Sequence, residues 1–315
     1  MSTINENDLP FLRRLYIYQK ERFPVIQNSL VIAVFGFSAI SFSRICRGVE
    51  GFINPLTYAV GIFTTITLFF LVRIFDEFKD REEDAKFRSY LPVPRGLISF
   101  KELRNIGIVI FIIQLIVNIF FYPKMLYLFI PVIIYLALMG KEFFVSSWLK
   151  KNIVMYIITH MMIIPLIDVY ASGLDWWKEG AEIPRGLLIF LGVSYMNGVV
   201  IEFGRKIRPK ELEEEGYETY SALYGANKAT IIWILVMFVT FVLSVFAASY
   251  ANYGMPVYIA LGVCFVLFSA PGFVFMKNKT KKTSKFLEYA SALWTISMYL
   301  ILGAAPMIGE MVTGR

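Results

Sequence analysis

The chain has 315 residues, of which 57% are hydrophobic and only 17% are charged, and its formal net charge is +7. A water-soluble protein of this size needs more polar surface than that to cover its core. The apolar residues come in long blocks rather than at amphipathic spacing, which indicates a protein that lies in lipid. One histidine and two cysteines, both within apolar blocks, argue against a zinc or other soft-metal site.

Nine apolar blocks are long enough, or nearly so, to cross a membrane. A bilayer core about 30 Å thick takes roughly 20 apolar residues per helix. Blocks of this length indicate helices, because a barrel strand is about half as long and alternates in polarity. The predicted spans are 25–46, 53–75, 103–122, 125–140, 152–172, 183–202, 229–249, 254–276 and 286–308, of which the fourth is short. The sequence therefore predicts an all-α polytopic membrane protein with nine transmembrane helices.

The positively charged residues lie mostly on one side of these spans. With the N-terminus inside, the inner segments hold 24 of the 31 Lys and Arg residues and the outer segments hold six, while Arg73 ends the second span. Cytoplasmic loops carry an excess of Lys and Arg, so we expect a cytoplasmic N-terminus and an outside C-terminus in an inner (cytoplasmic) membrane. Cations near anionic membrane lipids account for the net charge without a nucleic-acid partner.

A single transmembrane domain is predicted over 25–310, between a cytoplasmic segment, 1–24, and a short tail, 311–315. Two long inner loops, 76–102 and 203–228, each hold a dense run of charge. The spanning cores, in contrast, are almost free of ionisable side chains. A transporter or proton pump usually places such residues nearer to mid-membrane, so the sequence points to chemistry in the two inner loops.

Four acidic residues at the start of the first loop are spaced for a shared helix face. If the second span continues through them, Asp76, Asp80 and Asp84 fall at i, i+4 and i+8, and Glu77 precedes Asp80 by three. Like charges stacked in this way repel one another, so the arrangement favours a bound cation. Oxygen ligands without His or Cys suit Mg²⁺, which commonly bridges to phosphates. The alternative is a solvated run of charge at the membrane surface.

This acidic run and the turn after it resemble the aspartate-rich signature of the UbiA superfamily of intramembrane prenyltransferases. That signature is Asn-Asp-x-x-Asp-x-x-x-Asp followed by Arg-Pro-x-Pro-x-Gly. The corresponding residues of this chain are Asp76-Glu77-x-x-Asp80-x-x-x-Asp84 and Leu91-Pro-Val-Pro-Arg95-Gly96. The resemblance implies that the four acidic residues are catalytic and hold Mg²⁺. Leu91 stands where the family usually has Arg, so Arg88 or Arg95 is the expected substitute, and we expect Arg88 to bind diphosphate.

The second loop resembles the family's second aspartate motif in its position but departs from it in charge. Glu202 can stand for the first carboxylate, whereas Arg205 and Lys206 occupy the region of the second. The resemblance therefore implies that Glu202 lies near the metal. The cations Arg205, Lys206 and Arg208 are expected to bind the diphosphate directly rather than to hold a second Mg²⁺.

Three further segments are similar to the family. Lys150 and Lys151 resemble the basic pair that the family presents to phosphate oxygens, although positive-inside cations alone would explain them. Arg22 and Asn28 resemble residues at the start of the family's first helix, and Asn28 is expected in the prenyl pocket. The stretch from Gly216 to Gly225 is similar to the family's tail after the second motif.

The resemblance implies a UbiA-like bundle and a Mg²⁺-dependent enzyme that ionises an isoprenyl diphosphate. The prenyl group is expected to be transferred to a lipophilic acceptor, and an aromatic one is expected. Mg²⁺ and the cations would neutralise the leaving diphosphate, and the bundle would shield the allylic cation from water. A terpene cyclase of the same superfamily is the close alternative, and a lipid transporter without chemistry is the third. His160, the single histidine, is interpreted as a satisfied interior residue rather than a catalytic base.

Overall fold

The structure, a computed structural model, describes residue 6 and residues 9–215 and 218–313. All regular structure in these residues is helical, which confirms the predicted all-α class. Gly216, which begins the predicted tail motif, and the end of the predicted segment 311–315 lie outside the described residues.

The helices are labelled here in chain order. They are α1 (Phe11–Arg22), α2 (Val25–Cys46), α3 (Pro55–Lys79), α4 (Arg81–Phe87), α5 (Phe100–Phe121), α6 (Leu126–Met139), α7 (Ser146–Lys151), α8 (Ile153–Met161), α9 (Ile163–Gly173), α10 (Arg185–Arg205), α11 (Tyr220–Tyr224), α12 (Ala226–Tyr250), α13 (Met255–Lys277), α14 (Lys281–Tyr299) and α15 (Ala305–Thr313). A π-helical stretch, Leu300–Ala304, joins α14 to α15.

Eight segments of the described chain are long and apolar enough to cross a membrane. They are α2, α3, α5, α10, α12, α13, the pair α8–α9 (Ile153–Gly173) and the run from α14 into α15 (Lys281–Gly309). The predicted fourth span, 125–140, forms the shorter apolar helix Pro123–Met139. Its length is limited by Pro123 at its start and by the turn at Gly140. The structure thus supports eight spans by length where the sequence predicted nine.

The two charged loops lie at the same end of the bundle, which we call the charged face. α3 and α10 end there, and α5 and α14 begin there. The opposite face is closed by a different set of ion pairs. Asp175, fully buried after α9, accepts a hydrogen bond from Ser43 Oγ at 2.9 Å and pairs with Arg47 Nη1 at 2.9 Å at the end of α2.

Helix α10 lies at the centre of the bundle and brings the second loop to the charged face. It packs against α2, α9, α12 and α14. Near the end of α10 at the charged face, a Cβ on Gly204 would stand 2.0 Å from Ser291 Oγ of α14. Glycine at this position therefore permits the close contact of α10 and α14. This contact sets the position of the neighbouring Glu202 along the bundle.

Helix α1 lies over the first loop on the charged face. Arg14 donates a hydrogen bond to the Leu97 carbonyl at 2.9 Å and pairs with Glu102 at 2.6 Å. Glu102 also belongs to the capping box with Ser99 at the start of α5. α1 is held in this way near its start, and its last residue, Arg22, lies beside the acidic residues of the loop.

Candidate functional site

The acidic run of the first loop does not lie on one continuous helix. α3 ends at Lys79, α4 begins at Arg81, and Asp80 between them has φ −87° and ψ 8°. Helical hydrogen bonds nevertheless continue across this boundary, from the Asp80 N–H to the Asp76 carbonyl at 2.9 Å and from the Asp84 N–H to the Asp80 carbonyl at 2.8 Å. Glu77 and Asp84 are buried, each at 2% exposure, whereas Asp76 and Asp80 are partly exposed.

The two buried carboxylates lie around Arg22. Glu77 Oε1 accepts hydrogen bonds from Arg22 Nε at 2.6 Å and from Arg73 Nη2 at 2.9 Å. Arg22 Nη2 is also 3.8 Å from Asp84 Oδ2, and the buried Tyr18 hydroxyl lies 3.4 Å from Glu77. Arg22 thus forms the centre of a buried charge cluster, a role that its similarity to the start of the family's first helix did not suggest.

Asp84 is neutralised but poorly hydrogen-bonded. It forms ion pairs with Arg88 and Arg22, yet neither carboxylate oxygen accepts a hydrogen bond of good geometry. Burial raises the pKa of Asp84, and the Arg88 charge opposes this rise. Asp84 is therefore a buried carboxylate whose charge is balanced by two arginines from different parts of the chain.

The two partly exposed carboxylates lie around Lys79. Its Nζ is 3.2 Å from Asp76 Oδ1 and 3.8 Å from Asp80 Oδ1. It also donates a hydrogen bond to the Tyr156 hydroxyl at 3.0 Å, which joins α3 to α8. Burial raises the pKa of Asp80, and the neighbouring Lys79 lowers it. Lys79 thus contacts one pair of acidic residues and Arg22 the other, while Arg73 and Arg88 provide additional ion pairs to Glu77 and Asp84.

Glu202 of α10 is bound by the two cations that the sequence assigned to diphosphate. It is 5% exposed, and it accepts a hydrogen bond from Arg205 Nε at 2.8 Å and pairs with Lys206 Nζ at 3.0 Å. The Lys206 carbonyl accepts the Tyr220 N–H at 2.9 Å, and the Tyr220 ring stacks on Phe203 at 4.0 Å. This stacking fixes the turn that follows α10 and so holds the cations beside Glu202.

Contacts between the loops bring the two motifs to one region of the charged face. The Tyr90 hydroxyl of the first loop donates to Glu214 of the second at 3.1 Å, and Glu214 also pairs with Arg208 at 3.2 Å. The positive charge of Arg205 acts on Asp76. These contacts join segments more than a hundred residues apart in the chain.

The predicted basic pair divides into one residue that contacts the acidic run and one that does not. Lys150 of α7 pairs with Glu83 of α4 at 2.5 Å. Lys151 is exposed, and Asn28 is half-buried near the start of α2. Neither has a side-chain hydrogen bond or ion pair to the residues that the structure describes.

Four residues of the site were not singled out from the sequence: Tyr18, Arg73, Lys79 and Tyr156. Arg73 and Lys79 could have been found, because they precede or follow acidic residues by three or four positions, the spacing of helical ion pairs. Tyr18 and Tyr156 reach the site from other helices, 59 and 77 residues from their partners Glu77 and Lys79, so no local pattern marks them.

The chemical type of the carboxylate oxygens in the first loop fits Mg²⁺, although these side chains are not grouped around a common metal position. Among the described residues, no three His, Cys, Asp or Glu side chains lie close enough together to hold a metal ion. Each carboxylate is instead neutralised by Lys or Arg. The donors are all oxygens, as Mg²⁺ prefers. Asp76, Asp80 and Asp84 are thus residues of the chemical type that could hold the ion.

Comparison with known families gives a match that covers most of the chain. The profile of the UbiA prenyltransferase family matches residues 22–300. This range includes both charged loops and seven of the eight long apolar segments in full. The match confirms the resemblance that the acidic run and its proline turn suggested. A comparison with curated proteins finds no match.

Solved structures share the fold at low sequence identity. A structure described for digeranylgeranylglyceryl phosphate synthase in membranes superposes with a TM-score of 0.60 at 16% identity, covering 93% of this chain and 99% of that one. A UbiA homologue from Archaeoglobus fulgidus bound to GPP and Mg²⁺ gives 0.56 at 13% identity over 90% and 99% of the two chains. The same homologue bound to DMAPP and Mg²⁺ gives 0.56 at 14% identity over 90% and 98%. The helical arrangement is therefore UbiA-like.

The buried cluster around Arg22 predicts a large loss of stability for Glu77→Gln. The amide keeps the size of the side chain but removes the carboxylate nearest to both Arg22 and Arg73. Removing one partner of a buried ion pair costs about 3–5 kcal/mol. Glu83→Gln is the matched control, since its pair with Lys150 is exposed and worth about 0–1 kcal/mol. Thermal unfolding in detergent measures both variants. Equal midpoints for the two would contradict the buried cluster.

Proposed function

This chain belongs to the UbiA prenyltransferase family, and from that premise we propose that it is a Mg²⁺-dependent enzyme that ionises an isoprenyl diphosphate inside the membrane. The prenyl group is transferred to a lipophilic, aromatic acceptor. The observation that carries the proposal is the presence of both charged motifs at one end of an apolar bundle. Prenyltransferase-type chemistry follows from family membership, whereas the acceptor is part of the proposal.

The ligands of the related structures support the substrate and the cofactor. The Archaeoglobus fulgidus homologue was solved with GPP or DMAPP together with Mg²⁺. By analogy, Asp76, Glu77, Asp80, Asp84 and Glu202 are proposed as the acidic set that serves the metal here. When bound, Mg²⁺ would supply positive charge against the leaving diphosphate.

The cations of the charged face are proposed to bind the diphosphate oxygens. Arg205 and Lys206 are paired with Glu202, and Lys150 with Glu83, so each is held at the site before substrate arrives. Arg88 and Arg208 lie on the two loops that Tyr90 and Glu214 join. These five residues would stabilise charge on the leaving group as the carbon–oxygen bond breaks. The hydrocarbon tail would extend into the bundle below, away from water.

Neutralising Asp80 and Asp84 should abolish turnover if the acidic run serves the metal. Asp80→Asn and Asp84→Asn keep the side-chain size and remove the charge. We expect each variant to lower Mg²⁺-dependent diphosphate release from geranyl diphosphate on the order of 10²–10³-fold, the size of loss seen when one group that stabilises developing charge is removed. Glu82→Gln, an exposed residue of the same helix α4, is the control and should retain activity.

Unchanged diphosphate release in both aspartate variants would discard the metal assignment. It would leave an enzyme whose metal site lies elsewhere, because diphosphate would still be released. A lipid transporter or scaffold without chemistry would instead show no Mg²⁺-dependent release of diphosphate in the unaltered chain. The two failures are therefore separable in a single assay series.

A terpene cyclase is the second candidate for the function, and the cations of the second loop support it. Arg205 and Lys206 stand where the family signature has a second carboxylate, so this half of the site differs from the usual transferase pattern. In a cyclase the double bonds of the substrate trap the allylic cation, and no separate acceptor is used.

An assay without acceptor distinguishes the two reactions. Purified protein in lipid vesicles would be supplied with geranyl diphosphate and Mg²⁺ alone, and the organic extract analysed by mass spectrometry. For a transferase we expect slow diphosphate release and no cyclic product, because nothing captures the cation. Rapid release with a cyclic hydrocarbon or alcohol as product would reject the transferase assignment.

We also propose that α6 is a ninth, short span, with the charged face and the N-terminus in the cytoplasm of an inner membrane and the C-terminus outside. The charge bias supports this orientation. In a chain with Cys46 and Cys264 replaced by Ser, Glu182→Cys on the opposite face should react with a membrane-impermeant maleimide in intact cells. Lys101→Cys on the charged face should react only after permeabilisation. The reverse pattern would invert the orientation.

A further inference from the structure

The single histidine of the chain lies directly beneath the charged face. His160 belongs to α8 and is 5% exposed. Its ring stacks on the Tyr156 ring one helical turn earlier, at 3.9 Å between centroids and 17° between planes. The Tyr156 hydroxyl in turn accepts the hydrogen bond from Lys79. His160 is therefore held one ring below the Lys79 cluster, on the apolar side of it.

The hydrogen bonds at Nδ1 fix the tautomer of His160. Nδ1 lies 3.0 Å from the Tyr156 carbonyl oxygen, which can only accept a hydrogen bond. Thr159 Oγ1, 3.3 Å from Nδ1, already donates its own proton to the Met155 carbonyl at 2.8 Å. Both neighbours thus present lone pairs to Nδ1, so this nitrogen carries the proton. Nε2 consequently carries a lone pair.

The Nε2 lone pair is buried and unused. Nε2 has no hydrogen-bond partner among the residues that the structure describes. An unfilled buried acceptor costs stability, and a residue selected only for packing would not need one. In contrast, the interpretation of His160 as a satisfied interior residue required both nitrogens to be paired. The structure satisfies only one of them.

The position of His160 relates it to both charged motifs. Its helix, α8, is joined to α3 by the Lys79–Tyr156 hydrogen bond and packs against α10. The helix of His160 therefore contacts both helices that carry the charged motifs. If a diphosphate binds the polar groups above, the first carbon of its prenyl chain enters the apolar layer at about this depth.

We propose that His160 Nε2 is the proton acceptor of the transfer reaction, an inference that rests on the function proposed above. The acceptor substrate is of the class whose nucleophilic atom bears a proton, a phenolic O–H or an aromatic C–H. The carbon–oxygen bond of the prenyl diphosphate breaks with its electron pair on the diphosphate. The acceptor atom forms the new bond to the prenyl carbon, and its proton passes to Nε2. Release of that proton with the diphosphate restores the neutral imidazole.

Nitrogen NMR can test this assignment without turnover, because the chain contains one histidine. Protein labelled with ¹⁵N-histidine in lipid vesicles should give one imidazole, neutral and protonated at Nδ1. Adding Mg²⁺ and the unreactive analogue geranyl thiolodiphosphate should shift the Nε2 resonance more than Nδ1. A ring protonated at Nε2, or a spectrum unaffected by a bound analogue, would overturn the proposal.

Substitution tests the same nitrogen by activity. In His160→Asn the side-chain amide can still donate to the Tyr156 carbonyl, while the Nε2 position is removed. The assay supplies radiolabelled geranyl diphosphate to membranes of the cells that make the protein, so that the acceptor is present. We expect the labelled lipid product to fall on the order of 10²-fold in the variant, the usual contribution of a general base. Mg²⁺-dependent binding of geranyl diphosphate should remain within about threefold, since this histidine is placed below the diphosphate and not on it. Ile158→Ala, on the lipid-exposed side of the same helix, is the control and should behave as the unaltered chain.

Two results would reject the base, and a third would reject the function on which it depends. Full product formation by His160→Asn excludes a role for Nε2. Loss of geranyl diphosphate binding together with product indicates a structural role and also excludes the base. If the unaltered chain fails to bind geranyl diphosphate with Mg²⁺, the proposed function itself fails, and this is seen before any variant is made.

Discussion

Neutralisation of buried carboxylates by cations from distant segments is the constraint on which this structure depends. A carboxylate removed from water is strongly unfavourable unless a cation and hydrogen bonds replace the solvent. At the charged face, Arg22 meets this requirement for Glu77 and Asp84. At the opposite face, Arg47 does the same for Asp175. Both ends of the bundle are therefore closed by ion pairs between helices.

The same constraint places the polar and apolar layers of the proposed site next to each other. Lys79 holds Asp76 and Asp80 at the surface and reaches down to the Tyr156 hydroxyl, and the Tyr156 ring rests on His160. The lining of the proposed site therefore changes from charged to aromatic between Lys79 and Tyr156. A substrate with a diphosphate head and a hydrocarbon tail needs such a boundary, because its reacting carbon lies where the two parts join.

The sequence was informative about the parts of the site that are local in the chain. The acidic run, the proline turn after it and the cations after Glu202 could be recognised because each lies within about a dozen residues. The pairing of the acidic residues with Lys79 and with Arg22 was not foreseen, because the spacing alone does not show which cation each carboxylate contacts. The contacts of Arg22 with Glu77 and of Tyr156 with Lys79 could not be predicted from the sequence, because the partners are 55 and 77 residues apart in the chain.

The sequence by itself determined the all-helical class, eight of the long membrane segments and the family, because hydropathy and short motifs are properties of neighbouring residues. Only the tertiary structure decided which cation neutralises which carboxylate, that α6 is shorter than the other apolar helices, and which nitrogen of His160 is left unpaired. The physical reason is that ion pairs and buried hydrogen bonds depend on the distance between atoms of different helices. That distance is set by packing, as where Gly204 allows α10 to approach α14.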